Sequence, residues 1–149
     1  MSLRAIPLTV LGFILYNIIV LFSGLSSADT STDGAAAARS ILESKIFSLP
    51  MISQAQWVFT WGDLILVVMM TVLCVELLKA TYTSTASLVD HGLSMLVFIA
   101  ALIEFLVVPQ AATSVFFLVL VSLLIDVIAG FTIGIRVAKR DIGFGSGDQ

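Results

Sequence analysis

Charge is what this chain has least of. Only 11% of its 149 residues are Asp, Glu, Lys or Arg, whereas a soluble domain carries about 25%. A surface so poor in charge excludes an ordinary water-exposed domain. The net charge of −3 excludes the basic footprint that nucleic-acid binding needs. The single cysteine, Cys74, sits in an apolar run, has no intrachain disulfide partner and reads as a small buried hydrophobe. A single histidine, His91, excludes a bis-histidine haem site, and no Cys/His cluster has metal-ligand spacing. Phosphate loop, nucleophile elbow and His-Glu-x-x-His motif are all missing, as are an Arg-rich voltage-sensing helix and a carbonyl filter. The chain does not read as an enzyme, and no cofactor or metal is expected. Internal repeats and strand signals are also missing.

What is present is hydrophobic length. Apolar residues make up 59% of the chain and the mean hydropathy is +1.13. A bilayer core needs roughly 20 mostly apolar residues per helix. Four segments meet this, at about 5–25, 61–81, 88–108 and 113–135. The expected fold is all-α: one polytopic membrane domain over 1–149, a four-helix transmembrane bundle with an amphipathic outer segment. Short connections at 82–87 and 109–112 make the last three spans consecutive antiparallel neighbours, and Pro109 ends the third sharply. Residues 1–28 also resemble a secretory signal, with Ser26-Ser27-Ala28 as a small-x-small cleavage pattern. The apolar core from Leu8 to Phe22 is at the long end for a signal, so a retained helix is preferred.

Positive charge sets the orientation. With the N-terminus inside, Arg4, Lys79, Arg136, Lys139 and Arg140 lie on the cytoplasmic side. Arg39 and Lys45 lie outside, offset by Asp29, Asp33 and Glu43. Both termini are therefore placed in the cytoplasm, with Trp57 and Trp61 in an outer aromatic belt. The outer segment 26–60 opens as a polar linker. It then reads as a helix whose apolar side carries Ile41, Leu42, Ile46, Phe47 and Leu49, lying on the membrane surface or over the span ends. The cytoplasmic tail is 136–149, and its end, GFGSGDQ, reads as flexible and carries no visible signal.

Acids inside a span are costly and are functional candidates by default. Thr60 with Asp63, and Ser87 with Asp90, have the capping-box spacing, which explains both acids as caps. His91, in the same first turn as Asp90, reads as an interfacial hydrogen-bonder. Glu76 lies three residues before Lys79 and pairs with it along one helix, while Lys79 snorkels to the headgroups. Glu104 lies near the outer C-terminal end of its span, where the helix dipole disfavours negative charge. It must keep its proton, face water or find a partner. Arg39 or Lys45 reaching down from the outer segment is preferred over a proton shared with Asp63.

Ser122, Asp126, Gly130 and Gly134 recur every four residues and include a GxxxG, so Asp126 points into a helix contact and not into lipid. Asn17, near the middle of the first span, reads as glue across a helix pair. The candidate intramembrane polar or proton sites are therefore Glu76, His91, Glu104 and Asp126, and the packing residues are Asn17, Ser122, Asp126, Gly130 and Gly134.

Three stretches, WGDLILVVMMTVLCVELLKAT, SLVDHGLSMLVFIAALIEFLVV and ATSVFFLVLVSLLIDVIAGFTIGIRVAKRD, together resemble uncharacterised small four-helix inner-membrane proteins of proteobacteria. The resemblance covers about residues 57–141. It implies a bacterial inner membrane and no activity. Two functions follow from the residues. The first is a non-catalytic membrane subunit that packs against other helices, its own copies or a larger complex. The alternative is a small homo-oligomeric ion channel or proton-coupled transporter using the intramembrane carboxylates. The partners expected are the bilayer and other membrane helices.

Overall fold

A computed structural model describes residues 7–26, 34–81 and 85–144, with backbone alone for 21–26, 85–90, 134 and 136–144. Five α-helices and one β-hairpin follow in the order α1 (Val10–Ser26), α2 (Gly34–Leu42), β1 (Lys45–Pro50), β2 (Gln56–Thr60), α3 (Trp61–Ala80), α4 (Thr85–Val107) and α5 (Ser114–Phe144). The charges at Arg4, Asp29 and Asp33, the linker 27–33 and the last five residues lie outside the described residues.

The outer segment departs from the sequence expectation. Ala35–Ala38 favour helix, but α2 stops at Leu42, and Ile46, Phe47 and Leu49 belong to a strand and not to a helical stripe. An apolar run this short fits either period. Two features decide it. Pro50 cannot continue a helix, and the β-branched and aromatic Trp57-Val58-Phe59 supplies a partner strand. The antiparallel register pairs Phe47 with Phe59, Ser48 with Val58, Leu49 with Trp57 and Pro50 with Gln56, with an irregularity between Lys45 and Phe47. The turn closes through Met51 N–H to the Ala55 carbonyl at 2.8 Å, and Gln54 adopts a φ of 65°.

Thr60 ends β2 and also caps α3. Its hydroxyl accepts from the Asp63 N–H at 3.2 Å, and the Asp63 carboxylate accepts from the Thr60 N–H at 2.9 Å. At the same end of the bundle, α4 gives way at Pro109 to a 3₁₀ turn, Pro109–Ala111. Thr113 then accepts from the Phe116 N–H at 3.1 Å and starts α5. The helix α4 begins at Thr85, so Ser87 lies inside it and is not its N-cap. The side chains of Ser87 and Asp90 lie outside the described residues.

The helix arrangement also corrects an expectation. α5 packs along both α3 and α4, whereas α3 and α4 have little contact with each other despite being consecutive. α1 packs mainly on α3 and runs opposite to it, with a Cβ at Gly12 colliding with Met69. The helix α2 lies across the hairpin end of the bundle, against α1 and the 3₁₀ turn, and buries Ala35, Ala38 and Leu42. Phe116 is the centre of the apolar core. Its ring meets Tyr16 at 4.7 Å, Phe13 at 6.1 Å and Phe105 at 6.2 Å, joining α1, α4 and α5.

The surface is apolar, and Cys74, expected to be buried, is exposed on it because it lies on the outward side of α3. Met70, Leu78, Leu96, Ile103, Leu106, Val107, Ile125 and Ile128 are all exposed on the outside of the bundle. α3 and the Ser114–Ile133 part of α5 are long and apolar enough to cross a membrane. Only 28% and 39% of their apolar windows are buried inside the chain. The apolar parts of α1 and α4, Val10–Val20 and His91–Val107, are shorter.

Candidate functional site

Inverted polarity locates the site: apolar side chains face out, and polar ones sit between the helices in two layers. The first layer lies toward the end away from the hairpin. Glu76 on α3 stands about 22 Å from Trp61 at ~1.5 Å per residue. Glu76, His91 on α4 and Asp126 on α5 are 1%, 2% and 1% exposed. Glu76 Oε1 pairs with Lys79 Nζ at 2.9 Å, one turn along the same helix. Its Oε2 accepts from the Leu8 N–H at 2.9 Å. Asp126 Oδ2 accepts from the Thr9 hydroxyl at 2.8 Å. The start of α1 is thereby fastened to two carboxylates on two helices.

Gly130, one turn beyond Asp126, lies against the His91 imidazole so closely that a Cβ there would overlap the ring. This part of the small-residue face is therefore occupied from within the chain by α4. Ser122 is buried and donates to the Leu118 carbonyl of its own helix at 2.8 Å, a bond that leaves the helix intact. The side of the helix at Gly134 lies outside the described residues. Ser94, one turn along α4 from His91, is 1% exposed, and its hydroxyl has no hydrogen-bond partner among the described residues. Among the described residues no group of three His, Cys, Asp or Glu side chains could hold a metal.

The second layer lies at the hairpin end. Glu104 Oε2 accepts from the Asn17 amide at 3.3 Å, and that amide also donates to the Phe13 carbonyl at 3.2 Å. Beside it the Tyr16 hydroxyl donates to the Gln110 carbonyl at 2.9 Å and lies 2.7 Å from Thr113 Oγ1. Neither expected partner of Glu104 is the one found. Arg39 donates to the Ala112 carbonyl at 3.4 Å. Lys45 is carried into the hairpin, where its backbone pairs with Thr60, and Asp63 is committed to the cap of α3. Between the two layers Met69, Ala101, Phe116, Val119 and Leu123 are buried and apolar.

Thr9, Ser94, Tyr16 and Thr113 were not singled out from the sequence. Ser94 had a faint signal, three residues after His91 on the same helical face. Tyr16 adjoins Asn17, so a second polar group in that span was visible. Thr9 and Thr113 carried no such mark.

No family model, curated protein or solved structure matches the chain. The site must be read from its own chemistry.

Proposed function

We propose that the chain is a multi-pass protein of a bacterial inner membrane, with α1, α3, α4 and α5 crossing the bilayer as a four-helix bundle and both termini in the cytoplasm. Its working part is the layer formed by Glu76, His91 and Asp126, and it acts as a small channel or proton-coupled transporter. One observation carries this reading: three ionisable side chains on three helices are buried at about one level of an otherwise apolar bundle. Buried charge is seldom needed for stability, since well-packed apolar residues often serve as well or better. Inside a membrane it marks a functional site by default. The Ser94 hydroxyl, buried one turn from His91 and without a hydrogen-bond partner among the described residues, adds a polar group at that level. The buried apolar layer around Phe116 would act as a gate that excludes water when closed. Glu104 and Tyr16 lie beyond it, at the outer mouth.

The test is proton and cation flux in liposomes. Wild type should conduct, and Asp126→Asn and Glu76→Gln should each abolish most of the flux. A wild-type flux no greater than that of empty liposomes would sink the reading.

The second reading is a non-catalytic membrane subunit of a homo-oligomer or a larger complex. What favours it is that both carboxylates already hold partners within the chain, at Leu8, Lys79 and Thr9, as structural pins would. Under it no variant conducts. Native-lipid nanodiscs of the subunit would contain further chains, and their particle mass and composition would report this directly.

A further inference from the structure

The hairpin is an exposed apolar feature that packing of the bundle does not explain. From Ile46 to Gly62 there is no charged residue. By register and alternation, Phe47, Leu49, Trp57 and Phe59 share one face. Their rings confirm it, with Phe47 stacked on Phe59 at 4.8 Å and Trp57 edge-on to Phe59 at 5.8 Å. Ser48, Pro50, Gln56 and Val58 share the opposite face. Phe47, Leu49 and Trp57 remain 41–48% exposed, and at the turn Met51 is 51% exposed and Ile52 wholly so.

Its attachment places it. Thr60 belongs to both β2 and the cap of α3, so no spacer separates the hairpin from the helix. α3 has 20 residues, which at ~1.5 Å each span about the 30 Å of a bilayer's hydrocarbon. Trp61 then falls at the hydrocarbon edge, and the hairpin begins at the headgroups. That zone is wet enough to hydrogen-bond the open edges of a two-stranded ribbon and apolar enough to take indole and phenyl rings. Full immersion would strand those edges. Immersion in bulk water would expose an apolar ribbon whose edges carry no charge beyond Lys45 at its base to block edge pairing.

We propose that the hairpin is an interfacial anchor. It lays its Phe47–Leu49–Trp57–Phe59 face into the headgroup and upper acyl region of the same membrane that α3 crosses. The inference rests on the membrane reading of α3. With no charge from Ile46 to Thr60 and Lys45 only at the end beside α3, this face binds with little regard to headgroup charge or salt, unlike a basic amphipathic helix.

Trp57 and Trp61 are the only tryptophans, so Trp61→Phe leaves Trp57 as the sole reporter. The full chain carrying it is reconstituted in phosphatidylcholine vesicles. Bromines on the upper acyl chain should remove most of its emission, deep bromines less, and aqueous iodide little. Adding anionic lipid or salt should change none of this. A companion protein with Val67→Trp, both native tryptophans being replaced by Phe, reports α3 itself. If Val67→Trp is quenched by lipid and Trp57 by iodide, the anchor is overturned while the membrane reading stands. If Trp57 answers to neither quencher, a second copy or another protein covers the face, and the anchor is equally overturned. If Val67→Trp escapes lipid quenching, the membrane reading itself falls.

Discussion

At the scale of single residues, position 130 tolerates almost nothing. Gly130→Ala drives a methyl group into the His91 ring, and overpacking of this kind costs about 1–3 kcal/mol. Thermal unfolding in detergent should show that loss, and His91→Ala in the same chain should recover much of it. Equal stability of Gly130→Ala and wild type would contradict the contact. The Thr9–Asp126 bond has its own expected size. Interhelical hydrogen bonds in membranes couple by about 0.6 kcal/mol and reach at most about 1.7, so a double-mutant cycle of Thr9→Val and Asp126→Asn should fall in that range. Part of this site was legible in the sequence. The spacing of four through Ser122, Asp126 and Gly130 marks one face of α5, and all three are buried. The i,i+3 spacing of Glu76 and Lys79 is the spacing of their ion pair. Thr9 was not legible, because its partner lies 117 residues away. Nothing local says how deep in the bundle α1 begins. Glu104 failed differently: the expectation looked for a cation, and an amide two residues from Leu15 on α1 serves it.

At the scale of elements, the junction at Thr60 joins two structures that are otherwise independent. Losing an N-cap hydroxyl costs about 1 kcal/mol. Thr60→Ala should therefore lower the unfolding temperature and, in hydrogen exchange, loosen the first turn of α3. Because Thr60 also pairs with Lys45 in the hairpin, protection of β1 should fall in the same variant. A loss confined to α3 would mean that the hairpin holds itself. The helices α3, α4 and α5 were legible from apolar length alone, with α5 running on to Phe144 beyond its apolar part. The hairpin was hidden because Ile46, Phe47 and Leu49 satisfy a helical stripe nearly as well as an alternating one. Its true partner strand lies beyond a turn whose residues, Met51 to Ala55, include neither Gly nor Asn.

For the molecule as a whole, the proposed topology puts the hairpin and the end of α5 on opposite sides of the bilayer. In a Cys74→Ser background, a cysteine at Ser53 should react with an impermeant maleimide added outside intact cells. One at Ser146 should react only after the membrane is opened. Reaction of both from one side would remove the crossing by α5. Apolar composition made the two helices long enough to cross a membrane legible, α3 and the Ser114–Ile133 part of α5. Which helices touch was not legible, since that depends on His91 finding Gly130 and not on the order of the spans.

The central place of α5 bears on how the protein is made. Ribosomes deliver α3 and α4 first, yet these two helices scarcely meet. Until α5 emerges, the His91 and Ser94 side of α4 lacks the surface it later packs on. On the proposed topology, insertion and folding are thus separated in time, and the nascent chain must hold a half-finished bundle with polar groups turned toward lipid or a chaperone. A stalled or truncated product lacking α5 would, on that topology, display that side of α4 to membrane proteases.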